Sequence, residues 1–185
     1  METVDGDLLD AEEQYLVHQT NCLTIRAAHL SASVFRRFPH ADIYAERGRE
    51  GVTRDGGLRH VPGTLEVRGG GAGVGAGAGE GKRLVINLLG QLGPGKPAGY
   101  RAIAGVGRLP DSQLLRQQWF REGLIAIGAL PGVTSVALPH GIGCGAAGGD
   151  WAAYSAMIEA FAHAHSHIRV RIYRLPSAGA GAETC

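Results

Sequence analysis

The chain has 185 residues, 44% of them hydrophobic, and 18 Lys and Arg against 17 Asp and Glu, for a formal net charge of +1. This length and composition predict a single globular domain with its own core. The near-neutral charge disfavours a protein whose main role is to coat nucleic acid or an anionic membrane. A site for a small anion stays compatible, because such a site needs only local dipoles.

The cysteines Cys22, Cys144 and Cys185 are odd in number and widely spaced, and no CxxC pair occurs. We therefore expect no disulfide framework and no structural zinc, which favours a reducing compartment. The first residues are acidic without an apolar signal segment, and no apolar run approaches the ~18 residues of a membrane span. We predict a soluble intracellular protein, cytoplasmic or nuclear, that is monomeric and has no membrane partner.

Apolar runs and helical periodicities alternate along the chain. Runs typical of strands occupy 15–20, 63–67, 82–89, 133–139 and 168–175. Helical spacing of apolar residues occurs over 27–38, 41–50, 111–130 and 151–164. Strands that alternate with helices predict an α/β domain with a mostly parallel sheet and helices on both faces.

Three segments are predicted to lie outside the regular elements. The Gly-rich stretch 68–81 is low-complexity and is interpreted as a flexible insertion without chemistry. The stretch 93–110 is predicted to be a long loop, and a long loop in a compact domain is often functional. The end of the sequence, 177–185, is interpreted as a flexible tail, which leaves 1–176 as the domain.

Residues 138–151, LPHGIGCGAAGGDW, follow a predicted strand and contain few side chains beyond Cβ. Such a loop is typical of backbone that approaches a ligand closely. In open parallel sheets, ligands bind beyond the carboxyl ends of the strands. Three of those ends are rich in candidate residues: HQTNC, NLLGQLGPGKP and PHGIGCG.

Two nucleotide-binding motifs fit this pattern only in part. Gly143, Gly145 and Gly148 satisfy the G-x-G-x-x-G of a dinucleotide site, but the sequence beyond them has one more strand and no acidic residue for a ribose. Residues 90–97, GQLGPGKP, match the start of a P-loop, but Pro97 stands where Ser or Thr should bind magnesium. Both remain less favoured alternatives.

A third interpretation covers most of the chain. The segments DGDLLD, LVHQTNC and LPHGIGCGAAGGDW, followed by YSAMIEAF and RVRIYRL, together resemble the macrodomain family. The resemblance is to the branch of terminal ADP-ribose glycohydrolases, DNA de-ADP-ribosylating antitoxins and small ADP-ribose 1″-phosphate phosphatases. It implies a three-layer α/β/α fold with a mixed, mostly parallel central sheet.

The resemblance also implies a ligand, ADP-ribose, and residues that bind it. Asp7, in a G-D-[IL] motif with Leu8, resembles the carboxylate that accepts a hydrogen bond from the adenine amino group. Asn21 resembles the amide that holds the distal ribose. The loop whose backbone N–H groups cradle the diphosphate is matched by Gly141, Ile142, Gly143, Cys144 and Gly145. The implied partners are ADP-ribose or ADP-ribosylated protein or nucleic acid, with no cofactor and no metal.

The sequence departs from the family pattern at two places near the distal ribose. His29 stands where the family has a loop glycine. Gln91 stands near the place of a lysine that this branch uses as a nucleophile, and a glutamine cannot form a Schiff base; Lys96 follows in a predicted loop. Asp150 is a candidate general base, although an N-cap role explains it equally well. The candidate catalytic residues are Asn21, His29, Gln91 and Asp150.

The expected function is hydrolysis of an ADP-ribose derivative, at an ADP-ribosyl ester or glycosidic bond or as a phosphatase on ADP-ribose 1″-phosphate. His18 resembles a histidine of the phosphatase-like members, but a histidine within an apolar strand is usually a core residue. The alternative is a non-catalytic reader of ADP-ribosylated targets. The histidines in HAHSH, 163–167, are interpreted as a solvated helix end rather than a metal site.

Overall fold

The computed structural model describes residues 1–47, 52–53, 57–70 and 82–176. The strands are β1 (Glu2–Asp5), β2 (Tyr15–Asn21), β3 (Leu65–Gly70), β4 (Lys82–Gln91), β5 (Gly99–Ile103), β6 (Gly107–Asp111), β7 (Ser135–Pro139) and β8 (Arg169–Arg174). The α-helices are α1 (His29–Arg37), α2 (Gln113–Gly128) and α3 (Trp151–Ala164). Single 3₁₀ turns occupy Leu8–Asp10 and Pro39–Ala41.

Within the described residues, the central sheet has 6 strands in the order β1-β8-β7-β2-β4-β3. All neighbours are parallel except the edge pair of β3 and β4. Strands β5 and β6 form a separate antiparallel hairpin. The predicted α/β class with a mixed, mostly parallel sheet is confirmed. Since β2, β4 and β7 run in the same direction, the loops that follow them lie at one edge of the sheet.

The core has two parts because strands β2 and β4 are apolar on both faces. Tyr15 and Val17 of β2 pack with the buried residues of α2 and α3. Leu16, between them, points to the other face and packs with Val34 and Phe35 of α1. Successive side chains of a strand alternate between faces, so the continuous apolar runs in the sequence require helices on both sides. This produces the predicted three layers.

Two predicted elements are wrong. The helix predicted over 41–50 is absent from its described part: residues 43–46 form a turn, because Oδ1 of Asp42 accepts hydrogen bonds from the backbone N–H groups of Tyr44 and Ala45 at 2.9 and 3.0 Å. Residues 48–50 lie outside the described residues. The loop predicted over 93–110 contains the β5–β6 hairpin, in which Gly99 pairs with Asp111.

Other elements differ from the prediction in where they begin and end. Residues 68–70 of the Gly-rich stretch continue β3, whereas 71–81 and the predicted tail, 177–185, lie outside the described residues. Strand β1 was not predicted, because its sequence ETVD is short and polar; it pairs in parallel with β8. In the part of the chain that the structure describes, no helix is long and apolar enough to cross a bilayer.

His18 lies within β2 as a buried core residue. It is 0% exposed, its Nε2 lies 2.7 Å from Oδ1 of Asn87, and the ring of Phe35 packs edge-on against it. Burial lowers the pKa of His18 from 6.5 to about 4, although the hydrogen bond to Asn87 acts in the opposite direction. The imidazole is therefore neutral in the folded protein at neutral pH.

Protonation of His18 is expected to make stability depend on pH. Between pH 6.5 and about 4 the unfolded chain binds a proton at His18 that the folded chain does not. The free energy of unfolding therefore decreases as the pH is lowered through this range, by about 3 kcal/mol in total. His18→Gln should remove this component. Urea unfolding of both proteins from pH 7 to pH 4 measures the difference; parallel profiles would contradict the assignment.

Candidate functional site

A cavity of about 440 Å³ opens beyond the carboxyl ends of β2, β4 and β7. One wall is the chain from the end of β2 to the start of α1, a second is the loop after β4, and a third is the loop that follows β7. We call residues 139–149 the glycine loop. The position is the one expected for a ligand site in an open parallel sheet.

The backbone of the glycine loop requires glycine at specific positions. Gly141 and Gly143 have φ of 71° and 72°, in the left-handed region that favours glycine. A Cβ on Gly143 would also lie 2.6 Å from Oε1 of Gln19 and 2.7 Å from the ring of Tyr154. A side chain at Gly143 is thus excluded both by backbone conformation and by space.

Several N–H groups of the glycine loop have no hydrogen-bond partner among the described residues. They belong to residues that all line the cavity: Gly141, Gly143, Gly145, Ala146 and Ala147. The intervening N–H groups of Ile142 and Cys144 do have backbone partners, Pro139 O at 3.2 Å and Gly141 O at 2.9 Å. Unpartnered backbone donors just before the N-terminus of a helix, here α3, form a site for an anion.

The side chain of Asn21 shapes the loop after β2. Its Oδ1 accepts hydrogen bonds from the backbone N–H groups of Leu23 and Thr24 at 3.0 and 2.8 Å, and its Nδ2 donates to the Tyr44 hydroxyl at 3.0 Å. Asn21 lines the cavity but is only 5% exposed. Its amide is therefore largely occupied within the protein.

Arg47 supports the same loop and was missed by the sequence analysis. It is 6% exposed, and its guanidinium donates to the carbonyls of Asn21 at 2.6 Å and Thr24 at 2.7 Å. It also stacks on the ring of Tyr44 at 4.3 Å and donates to Nδ1 of His60 at 2.9 Å. Arg47 lies in a stretch of charged residues, 46–50, and nothing in that pattern indicates that it is buried.

Two amides form part of the cavity wall at the ends of β2 and β4. Nε2 of Gln19 donates to Oε1 of Gln91 at 2.9 Å, and Nε2 of Gln91 donates to the carbonyl of Gly93 at 3.2 Å. Gln91, near the place of the family's lysine, is thus held at the wall. Lys96 is exposed and packs its stem beside Gly148; it is not among the described residues that line the cavity.

His29 lines the cavity in an unusual conformation. Its φ is 51°, and it is the one non-glycine residue with positive φ in the described part of the chain. A left-handed conformation costs a residue with a Cβ about 1 kcal/mol or more relative to glycine. The backbone therefore keeps the conformation of a glycine at the position where the family resemblance expects one.

Replacing His29 by glycine is expected to stabilise the protein by about 1 kcal/mol, because the strain at positive φ is removed. Urea unfolding measures the change. The matched control is Arg36→Gly, within α1, where glycine should instead destabilise by about 1 kcal/mol. A loss of stability in His29→Gly equal to that of the control would show that the imidazole contributes more than its backbone costs.

The other predicted site residues lie outside the cavity wall. Leu8 is buried in the core, and Asp7 accepts a hydrogen bond from Leu9 N at 2.9 Å just after β1. The Sγ of Cys144 lies 3.2 Å from the carbonyl of Ile142, and burial raises the pKa of this thiol to about 11. Asp150 caps α3, accepting from Ala152 N at 3.1 Å. Their functional roles remain predictions.

Ionisable side chains at the cavity are few. Those that line it are Arg26, His29, Tyr44 and His140, and no carboxylate is among the described lining residues. The His140 ring packs against Trp151 with centroids 4.6 Å apart and the ring planes at 53°. Burial raises the pKa of Tyr44, which stays neutral. Among the residues that the structure describes, no group of three His, Cys, Asp or Glu is placed to hold a metal.

Comparisons with known proteins identify the fold of the chain. No protein-family model matches the sequence, and no curated protein matches it. Among solved structures, the macrodomain of Mycobacterium tuberculosis DarG aligns over 95% of this chain and 97% of its own, with a TM-score of 0.62 and 22% identity. The chain has the macrodomain fold.

Two further macrodomain structures support that assignment. The macrodomain of Thermus aquaticus DarG aligns over 93% of this chain and 96% of its own, with a TM-score of 0.60 and 21% identity. The Trypanosoma brucei macrodomain, solved in complex with ADP-ribose, aligns over 94% of this chain and 62% of its own, with a TM-score of 0.52 and 12% identity. At identities this low, the alignments show that the chains share the macrodomain fold.

Proposed function

We propose that the cavity binds ADP-ribose, with the diphosphate on the glycine loop. The observation that carries this proposal is the run of unpartnered N–H groups that line the cavity, at Gly141, Gly143 and Gly145–Ala147. A diphosphate supplies several acceptor oxygens in a row, which match a row of donors. The Trypanosoma brucei macrodomain of similar fold was solved with ADP-ribose.

The two ends of the ligand are assigned by the remaining predicted residues. Asp7 follows β1 at the same edge of the sheet, and its Oδ2 has no partner among the described residues, so it is free to accept a hydrogen bond from the adenine amino group. Asn21 lines the cavity with its amide already paired. We infer that Asn21 acts on the distal ribose mainly through the loop that it shapes.

Isothermal titration with ADP-ribose tests the binding proposal, with ADP, adenosine and NAD as comparison ligands. Wild-type protein should bind ADP-ribose with micromolar affinity or better and bind adenosine far more weakly. No binding of ADP-ribose or ADP at millimolar concentration would overturn the proposal.

A negative charge added to the glycine loop should weaken binding selectively. Ala146→Asp places a carboxylate among the unpartnered N–H groups, where it competes with and repels a diphosphate, so we expect the Kd for ADP-ribose to rise at least about 100-fold. The control is Ala160→Asp, which adds the same charge at an exposed position of α3. Equal affinities of the two variants would remove the glycine loop from the site.

We further propose that the protein hydrolyses an ADP-ribose derivative. In such a step a water oxygen forms a bond to the anomeric carbon, and the bond from that carbon to the attached group breaks, its electron pair leaving with that group. A proton of the water passes to a base, which later releases it to the leaving group or to solvent. His29 and His140 are the lining groups suited to accept that proton. Asp150, the base predicted from sequence, would need to reach the cavity from its cap position. A lysine route is not available at Gln91.

Turnover is tested by mass spectrometry on ADP-ribosylated protein, ADP-ribosylated DNA and ADP-ribose 1″-phosphate. The variants His140→Gln, His29→Gly and Asp150→Asn should identify the base, because the relevant one loses turnover while it keeps ADP-ribose affinity. A second candidate function, a reader of ADP-ribosylated targets, is favoured by the lack of a carboxylate among the described lining residues. A reader would bind ADP-ribose and turn over none of these substrates.

A further inference from the structure

A buried guanidinium lies behind the cavity and contacts two of its walls. Arg116 of α2 is 2% exposed and does not itself line the cavity. Its Nε and Nη2 donate to the two carboxylate oxygens of Asp111 at 2.6 and 2.7 Å. Its Nη1 donates to the carbonyls of Gly95 at 2.6 Å and Ala147 at 3.0 Å, and Nη2 also donates to the carbonyl of Gly93 at 3.3 Å.

These contacts use the whole hydrogen-bonding capacity of the side chain. A guanidinium has one N–H on Nε and two on each Nη, and Arg116 has a matching acceptor for every one. Gly95 and Ala147 lie on different walls of the cavity, the loop after β4 and the glycine loop. A single planar group therefore fixes the position of one wall relative to the other.

Arg101 of the β5–β6 hairpin completes the arrangement. It pairs with Asp111 and donates to the carbonyls of Pro94 at 2.7 Å and Lys96 at 2.9 Å. The carbonyls of residues 93–96 thus bond alternately to Arg116 and Arg101. The hairpin, which was predicted to be an irregular loop, thus contributes Arg101, the second arginine that holds this loop.

The cluster also has a charge that suits the proposed ligand. Two guanidinium groups and one carboxylate, Arg116, Arg101 and Asp111, leave one net positive charge directly behind the loops that line the cavity. Asp111 is 0% exposed and Arg116 is 2% exposed, whereas the side chain of Arg101 is 20% exposed, so solvent screens the buried part of this cluster weakly. A cation at this place favours a diphosphate without contacting it.

We infer that Arg116 is a positioning residue for the cavity: it holds the glycine loop and the 93–96 loop in the conformation that binds a diphosphate. The inference rests on the proposed function and extends it to residues that do not touch the ligand. The side chain acts through the carbonyls of Gly95 and Ala147, which accept hydrogen bonds from the guanidinium.

The test compares Arg116→Lys and Arg101→Lys with the wild-type protein by two measurements. The first, hydrogen–deuterium exchange without ligand, reports loop order and does not depend on the proposed function. The second is the ratio of the affinities for ADP-ribose and adenosine, since only the former carries the diphosphate. Lysine keeps the charge but has no planar fork of donors, so Arg116→Lys should release Ala147 and at least one of Gly93 and Gly95.

In Arg116→Lys we expect exchange of the hydrogen-bonded amides of the glycine loop, those of Cys144, Gly148 and Gly149, to rise about 10-fold or more while β2 and β4 stay protected. The Kd for ADP-ribose should rise about 10-fold while that for adenosine stays within about twofold. Arg101→Lys, which changes contacts to Asp111 and the 93–96 loop alone, should leave these glycine-loop amides protected. If Arg116→Lys fails to fold, Arg116→Met combined with Asp111→Leu removes the buried charge together with its partner and repeats the comparison. Unchanged loop exchange, or an equal loss of protection in β2 and β4, would overturn the inference. If wild-type protein binds no ADP-ribose, the proposed function fails, while the exchange result still decides the positioning role.

Discussion

Replacing Gly143 by alanine is expected to destabilise the protein by about 2–4 kcal/mol and to abolish measurable binding of ADP-ribose. Two effects add at this position. The φ of 72° strains any residue with a Cβ, and that Cβ would lie 2.6 Å from Oε1 of Gln19 and 2.7 Å from the Tyr154 ring. Tyr154 is 1% exposed and packed in the core, so it has little room to move. The glycine loop would shift instead.

Two neighbouring glycines provide the controls for Gly143→Ala. Gly145 has no positive φ, and a Cβ there meets no atom within 4 Å, so Gly145→Ala should change the free energy of unfolding by less than about 0.5 kcal/mol. Gly141 has the positive φ without the contacts and should fall between, at about 1 kcal/mol. Urea unfolding of the three variants gives the order directly. Equal effects at all three positions would show that the loop adapts to a side chain.

Replacing Asp111 by asparagine is expected to destabilise the protein by about 3–5 kcal/mol, because it leaves the buried guanidinium of Arg116 without its counter-charge. The carboxylate is 0% exposed and accepts two hydrogen bonds from Arg116. Asparagine keeps the shape but provides one oxygen where two are used. Thermal or urea unfolding measures the loss.

The matched control for Asp111→Asn is Asp5→Asn at the surface. Asp5 pairs with Arg174 at 2.8 Å, and both side chains are more than half exposed, so the loss there should stay below about 1 kcal/mol. Similar losses at the two positions would mean that the buried pair is worth no more than a solvated one.

The pKa of Asp111 gives an independent check. Burial alone would raise the pKa of this carboxyl, but hydrogen bonds from Arg116 and Arg101 lower it below 3.8. Its contribution to stability is therefore complete above pH 3.8 and is lost only as the pH falls through the lower folded value.

The sequence was informative wherever a pattern is local. Buried parallel strands read as apolar runs, and the helices α2 and α3 begin at residues that cap them, Ser112 and Asp150. The glycine loop was found because a left-handed backbone and close packing leave a compositional trace. The composition of residues 138–151 predicts backbone that packs closely, and the positive φ and tight contacts of Gly143 agree with that expectation.

The parts that were missed depend on contacts between distant segments. Strand β1 exists because β8 offers it an edge, and the β5–β6 hairpin is stabilised by a buried ion cluster to which α2 contributes. Arg47 and Arg116 look like ordinary surface arginines in a helical or charged stretch. Their partners are mostly backbone carbonyls, which no side-chain pattern reveals.

The side-chain amides of Gln19 and Gln91, at the cavity wall, have an orientation that is fixed by hydrogen bonds to other residues. The carbonyl of Gly93 accepts from Arg116 and from Nε2 of Gln91, which turns Oε1 of Gln91 toward the Nε2 of Gln19. The orientation of both amides therefore depends on a chain of hydrogen bonds that begins at the guanidinium of Arg116, outside the cavity. Gln19 and Gln91 therefore give the cavity wall two amides of fixed orientation, whose dipoles point in one defined direction.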